Sequence, residues 1–254
     1  GSAGRGLGVS ILAIRSRIPE LCRKCACLAE DGKFLRRITC METPRYSMLA
    51  LLEKHATTHT DHLAHVLPLR DITYRRLWSR IERGSARLHG EWGVQRGDLV
   101  AYVGNGHPDA IVLYFSLLRI GASMLPLEAM TAADVNKTLA AMKPSLVVHD
   151  HDVQTGPWPA RALEDLLEVW SHHDPVLADD EMTRCALWLP DVNGQWQACS
   201  LFELCAMLPP VPRSAFIDDR LFTADLLTHV VLPSLRDARL IQFAATDRFR
   251  KTGS

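Results

Sequence analysis

Four cysteines near the amino terminus have side chains that could do chemistry. Cys22, Cys25, Cys27 and Cys40 form a C-x2-C-x-C pattern with a fourth cysteine thirteen positions later. Four thiolates suit the tetrahedral coordination of zinc, so a structural zinc site is one interpretation. A second close cysteine pair, which common zinc fingers contain, is missing. The pattern therefore favours reduced structural cysteines on a helix near residues 19–28.

Histidines form two further groups. The first lies in and after a helix predicted from Ser47 and comprises His55, His59, His62 and His65. In the second, His172 and His173 stand beside Asp174 in an acidic segment. Imidazoles can bind metals or transfer protons near neutral pH. Exposed histidines are more often ordinary surface residues, so we predict that both groups are solvated.

Strand and helix patterns alternate from residue 72 to residue 150. Continuous apolar runs at residues 99–103, 122–127 and 145–148 predict strands that are covered on both faces. Helical spacing predicts helices between them, at residues 74–88, 109–120 and 131–142. This alternation predicts an α/β fold with a layered, mostly parallel sheet flanked by helices.

The same stretch resembles the amino-terminal subdomain of the acyl-adenylate-forming superfamily, which includes acyl-CoA synthetases, aryl-CoA ligases and the adenylation domains of peptide synthetases. The segments that match best are Ile72-Thr73-Tyr74, Gly93-Val94, Gly97-Asp98-Leu99-Val100-Ala101, Asn105, and Leu118-Arg119 through Gly121-Ala122 to Pro126-Leu127. These are scaffold motifs, so the resemblance implies a fold and not an activity. Superfamily members are normally much longer, and the resemblance therefore implies a truncated, degenerate member with the amino-terminal subdomain only.

The resemblance also implies where ATP phosphates would bind. The superfamily's phosphate loop follows a strand, is rich in serine, threonine and glycine, and ends in a lysine. Here the strand at residues 186–189 is followed by Pro190-Asp191-Val192-Asn193-Gly194-Gln195-Trp196-Gln197. Gly194 is the only loop glycine that matches, Gln197 stands at the lysine position, and Asp191 adds a negative charge. We therefore predict a β-hairpin turn, with residues 186–189 pairing with residues 196–199.

The sequence divides into five segments. Residues 1–46 are unassigned and contain cysteines, 47–150 form the adenylate-forming-like subdomain, and 151–180 are a variable connection with a predicted helix at 160–170. Residues 181–245 form a degenerate second part of the same domain, with a helix at 226–235 and a final strand at 238–241, and residues 246–254 are a tail.

Three functional hypotheses follow, and the first is favoured. The protein could be a non-catalytic relative, a pseudoenzyme that binds a partner protein or an acyl or aryl ligand and needs no cofactor. It could instead be half of a split acyl-CoA or acyl-carrier ligase that uses ATP and magnesium. The third hypothesis is a metal or redox module that uses the amino-terminal cysteines, with zinc as its metal.

Composition limits the classes of partner and the cellular location that we expect. The 29 basic and 29 acidic residues give a formal net charge of zero, which does not indicate a nucleic-acid partner. There is no apolar run long enough to span a membrane, and Arg15 and Arg17 interrupt the apolar residues 8–14. The odd number of cysteines, seven, favours reduced thiols in a cytoplasmic protein. A homo-oligomer is left open.

Overall fold

A computed structural model describes residues 47–67, 70–104, 107–128, 130–151, 155–168, 185–191, 193–206, 215–217, 227–238 and 240–243. The chain divides into two compact units. One contains residues 46–189 and 198–254, and the other contains residues 1–45 and 190–197. The four amino-terminal cysteines, His172, His173 and Asp174 lie outside the described residues.

Four of the six α-helices in the described part of the chain lie before residue 143. The α-helices are α1 (Met48–Thr58), α2 (Tyr74–Gly90), α3 (Ala110–Ile120), α4 (Ala132–Met142), α5 (Leu201–Ala206) and α6 (Leu232–Arg236). A 3-10 turn spans Glu164–Leu167, and a π-helical turn at Leu227–Val231 leads into α6. Helices α2, α3 and α4 confirm the three helices predicted between residues 72 and 150.

A six-stranded sheet forms the main layer. Its strands are β3 (Leu99–Gly104), β4 (Ser123–Glu128), β5 (Leu146–His149), β6 (Ala160–Ala162), β7 (Cys185–Pro190) and β8 (Trp196–Ser200). The order across the sheet is β6-β5-β3-β4-β7-β8. All pairings from β6 to β7 are parallel. This sheet confirms the predicted α/β class.

A second sheet joins distant parts of the sequence. Its strands are β1 (Leu63–Leu67), β2 (Arg70–Thr73), β9 (Ala215–Ile217) and β10 (Ile241–Phe243), in the order β2-β1-β10-β9. Strands β1 and β2 pair antiparallel, whereas β1 with β10 and β10 with β9 are parallel. Strand β2 is thus an edge strand among the described strands.

Local sequence explains where the central helices begin and end. The Thr73 hydroxyl accepts a hydrogen bond from the Arg76 amide at the start of α2, and the Thr131 hydroxyl does the same for Asp134 in α4. Gly121 ends α3 with φ of 86°, a left-handed conformation that favours glycine. Helix α3 is buried over nearly its whole surface, which places it inside the core.

Two predicted elements were wrong. The helix predicted over residues 160–170 is instead strand β6 followed by the short 3-10 turn, because Ala160–Ala162 pairs with β5. The final strand predicted over residues 238–241 starts later, at Ile241, because residues 237–238 form a turn after α6. The helix predicted over residues 226–235 is present, with a π-helical first part.

A helix that crosses a bilayer needs about 20 predominantly apolar residues. Within the described ranges, no helix is both long enough and apolar enough to do so.

Candidate functional site

A tight turn stands where the phosphate loop was expected. Strands β7 and β8 are neighbours in the sheet, and the few residues between them permit only an antiparallel hairpin. The Asp191 amide donates to the Gln195 carbonyl (2.8 Å), and the Gly194 amide donates to the Asp191 carbonyl (3.0 Å). The predicted hairpin is therefore confirmed.

The Asp191 carboxylate organises the turn. Its Oδ1 atom accepts hydrogen bonds from the backbone amides of Asn193 and Gln195, each 2.8 Å long. Its Oδ2 atom accepts a hydrogen bond from Nε2 of Gln197 at 3.3 Å. Backbone amides and a donor at the lysine position are the groups that would grip a phosphate. In this turn the Asp191 carboxylate already accepts hydrogen bonds from these groups.

Gly194 lies at the exposed tip of the same turn. Its φ is 75°, and a Cβ atom added there would meet nothing within 4 Å. Its backbone conformation, and not a lack of space, favours glycine at this position. The turn therefore accounts for Gly194 without a phosphate.

A partly buried polar cluster forms a second candidate site, at the carboxyl ends of β3 and β5. The Tyr102 hydroxyl donates to Oδ2 of Asp150 at 2.7 Å, and Nδ1 of His151 donates to Oδ1 at 2.6 Å. The His107 amide donates to the Tyr102 hydroxyl (2.9 Å) and to Oδ2 of Asp150 (3.2 Å). The Asp150 side chain is 7% exposed, so these bonds compensate a largely buried charge.

The sheet topology gives this cluster a special position. Strands β3 and β5 are neighbours. The chain leaves β3 toward β4 on one side, whereas it leaves β5 toward β6 on the other side. Connections that depart in opposite directions open a crevice at the carboxyl ends of adjacent parallel strands, where open α/β sheets bind ligands. Gly104 lies beside the cluster, and a Cβ atom there would stand 2.6 Å from Oδ2 of Asp150, so a larger residue would displace the side chains of the cluster.

An ion pair extends the cluster to α2. Arg80 forms a salt bridge with the carboxylate of Asp109, the residue that precedes α3. The Asp109 amide donates to Nδ1 of His107 at 3.1 Å. This bond places the hydrogen of a neutral His107 ring on Nε2.

Three histidines of the first group lie in a row, and the ring centroids of His55 and His59 are 5.7 Å apart. His59 and His62 stack with ring centroids 4.9 Å apart. His55 is buried in α1 and packs edge-on against Tyr74 at 5.3 Å, so the prediction of a solvated residue was wrong for it. The amphipathic helix turns this residue toward α2 and α6. Burial lowers the pKa of His55, and the Arg236 carbonyl, which His55 Nε2 approaches to 3.4 Å, partly opposes this shift.

Metal and thiol chemistry have little support in the described part of the chain. No group of three or more histidine, cysteine or acidic side chains there could hold a metal ion. Burial raises the pKa of the Cys185 thiol, which favours the unreactive protonated form. The zinc interpretation concerns residues outside the described ranges and stays a prediction.

Sequence reasoning missed the cluster around Asp150. Tyr102 was predicted as one residue of an apolar strand, and Asp150 only marked the end of the matching stretch. One signal could have found it, since an acidic residue directly after a buried parallel strand stands at the sheet edge where ligands bind. The partner on β3 is forty-eight residues away, and only the sheet pairing brings the two together.

Comparison with protein families gives one match that covers most of the chain. The sequence model of the family described as AMP-binding enzyme matches residues 52–213. The matched range includes both the parallel-sheet segments and the hairpin turn.

Individual relatives match shorter stretches. The nonribosomal peptide synthetase tcpP of Claviceps purpurea is 32% identical over 118 residues, which are 45% of this chain and 6% of that protein. The D-alanine–D-alanyl carrier protein ligase of Bacillus licheniformis is 28% identical over 112 residues, 43% of this chain and 22% of that protein. The chain thus spans less than a quarter of either relative.

A solved structure shares the fold. The amino-terminal subdomain of NpsA from Klebsiella oxytoca superposes with a TM-score of 0.65 at 20% sequence identity, covering 77% of this chain and 53% of that chain. The chain covers about half of that structure.

Proposed function

Because the chain belongs to the AMP-binding enzyme family, we propose that it uses the family's amino-terminal scaffold to bind a partner protein or a small acyl or aryl ligand, and does not form acyl adenylates. Under this proposal the chain keeps the scaffold of the family but not the chemistry of its phosphate loop. A fold can persist where the residues of its site have changed.

One observation carries this proposal, the hydrogen bonding of Asp191. The two amides of the turn already donate to its carboxylate, at 2.8 Å each. A phosphate at this turn would have to displace that carboxylate and would meet its negative charge at close range. Like charges a few ångströms apart repel by about 1 kcal/mol in water and by several times more near a protein surface.

The neighbouring side chains support the same conclusion. Gln197 is neutral where the superfamily resemblance implies a lysine, and its amide also bonds to Asp191. Pro190 removes one backbone donor. The turn therefore has fewer donors and less positive charge than a phosphate-gripping loop needs.

Isothermal titration calorimetry with ATP and magnesium tests the proposal. We expect no binding heat from the unmodified chain. The double variant Asp191→Ser/Gln197→Lys releases the turn amides and adds a cation, so it should gain binding in the millimolar range, worth about 4 kcal/mol. Asp61→Ser, which removes a carboxylate that is 84% exposed, is the matched control and should gain nothing. Tight, magnesium-dependent binding of ATP by the unmodified chain would refute the proposal.

The split-ligase hypothesis makes the opposite prediction. It requires pyrophosphate exchange when the chain is combined with a polypeptide that supplies the remaining domains. The altered turn lies within this chain, so a second polypeptide does not replace it simply by adding later motifs. Exchange activity of such a pair would favour the ligase over the binding function.

A further inference from the structure

An arginine-lined cleft lies between the edge strand β2 and the first half of helix α2. Its volume is about 260 Å³. The residues that line it are Asp71, Ile72, Arg76, Ser79, Arg80 and Arg83. We call it the arginine cleft.

The lining of the cleft has more positive than negative groups. Arg80 is matched by Asp109, with which it forms the salt bridge described above. The other charged lining residues are Arg76, Arg83 and the single carboxylate Asp71. The whole chain has equal numbers of acidic and basic residues, so this excess is a local feature.

The contacts of Arg76 and Arg83 include long approaches to backbone carbonyls. Nη1 of Arg76 lies 3.5 Å from the Asp71 carbonyl, and Nε of Arg83 lies 3.4 Å from the Ser79 carbonyl. Contacts at the limit of hydrogen-bond length are weak. A guanidinium has five N–H donors, so a carboxylate that approached the cleft could add a shorter, charge-assisted bond to the contacts that each arginine already makes.

The size and spacing of the cleft favour acidic side chains over a small molecule. Its volume lies below the range of about 300–1,000 Å³ that is typical for small-molecule sites. Arg76 and Arg83 are separated by two turns of helix, a rise of about 10 Å, which suits two carboxylates better than one phosphate. Carboxylates two residues apart on an extended chain are about 7 Å apart, a gap that arginine side chains bridge.

The neighbouring strand favours an extended partner. Among the described strands β2 has a neighbour only on the β1 side. Edge strands present backbone groups to which another chain can add. An extended segment along β2 would carry its side chains past the first half of α2.

We propose that the arginine cleft docks an extended acidic segment of a partner protein, with carboxylates on Arg76 and Arg83. The inference goes beyond the proposed function by naming the chemistry of the partner. It uses none of residues 190–197, so its test and the ATP titration succeed or fail separately.

Fluorescence anisotropy tests the inference with a short fluorescein-labelled peptide of alternating glutamate and serine. The unmodified chain should bind it at low salt and more weakly at physiological salt, because exposed charges are screened. The double variant Arg76→Glu/Arg83→Glu should weaken binding by roughly tenfold or more, since it reverses both charges. Arg161→Glu, the same change at an exposed arginine of β6, should leave the affinity within about twofold.

Several outcomes would overturn the inference. One is that a peptide with glutamine in place of glutamate binds as tightly as the acidic peptide. Another is that Arg161→Glu lowers the affinity as much as Arg76→Glu/Arg83→Glu does. The third is complete competition by inorganic phosphate at concentrations near the peptide's Kd. Circular dichroism checks the fold of each variant. If charge reversal disturbs the fold, Arg76→Gln/Arg83→Gln decides in its place, and unchanged peptide affinity in that variant would equally contradict the docking role.

Discussion

Different interactions stabilise the buried part of the parallel sheet and the turn at residues 190–197. Most residues of strands β3, β4 and β5 and of helix α3 are apolar and almost fully buried. The turn is mostly exposed, and hydrogen bonds to one carboxylate organise it. The first region depends on burial and shape, and the second depends on a few polar groups.

This difference explains how a family fold can persist while the residues of one of its loops change. The stability of the sheet region is spread over many close-packed apolar contacts. The apolar residues that make these contacts are the scaffold motifs that can be recognised in the sequence. In the turn, one carboxylate is enough to redirect the backbone amides. Predictions for the two regions should therefore differ in kind, with effects on stability in the sheet and effects on ligand binding in the turn.

The largest effect on stability is expected from Phe115→Ala in α3. Phe115 is fully buried and meets Tyr114 edge-on at 5.1 Å. Truncation leaves a cavity and should lower the free energy of unfolding by about 3–5 kcal/mol, measured by urea denaturation. Met130→Ala, at a side chain that is 37% exposed, is the control and should change it by less than about 0.5 kcal/mol. Similar losses in the two variants would show that α3 is not central to the core.

Tyr102→Phe should have the next largest effect. It removes the hydroxyl that donates to the largely buried Asp150 carboxylate at 2.7 Å. Hydrogen bonds to charged groups contribute about 1.5–3 kcal/mol, so the free energy of unfolding should fall by that amount. A double-mutant cycle with Asp150→Asn measures the coupling directly. Additive losses in the cycle would mean that the cluster is not one connected network.

His55 predicts a pH dependence of stability. Burial lowers its pKa below the value of 6.5 that it has in the unfolded chain, so the unfolded chain binds the proton more readily. The contribution of neutral His55 to the free energy of unfolding is complete above pH 6.5. It is lost as the pH falls from 6.5 through the lower pKa of the folded chain.

Urea denaturation across this pH range checks the prediction. His55→Leu should flatten the profile, whereas Phe115→Ala leaves the titrating groups in place and should give a curve parallel to that of the unmodified chain. A profile that keeps its slope in His55→Leu would assign the pH dependence to another group.

The fold was largely predictable because its signals are local. The strands at Leu99–Gly104 and Leu146–His149 are continuous apolar runs bounded by turns, and Thr131 and Gly121 mark helix ends through their own backbone preferences. The hairpin was predictable because Asn193-Gly194 is a local turn signal. These features need no knowledge of distant residues.

The parts that were missed depend on distant residues. The second sheet pairs β1 with β10, some 170 residues later in the chain, and no local sequence pattern indicates which of these short strands are neighbours. His55 is buried only because α1 packs against Tyr74 and α6. The Asp150 cluster likewise depends on the pairing of β5 with β3.

The smallest effect on stability is expected in the turn, from Asp191→Ala. The substitution removes three hydrogen bonds, but the amides that lose them are exposed and water can replace the carboxylate. The free energy of unfolding should therefore fall by about 0.5–1.5 kcal/mol, well below the loss in Phe115→Ala. A loss as large as that of the core variant would make the turn part of the scaffold, and the contrast between the two regions would fail. A small loss, together with gained ATP binding in Asp191→Ser/Gln197→Lys, would show that this carboxylate governs ligand choice and contributes little to folding.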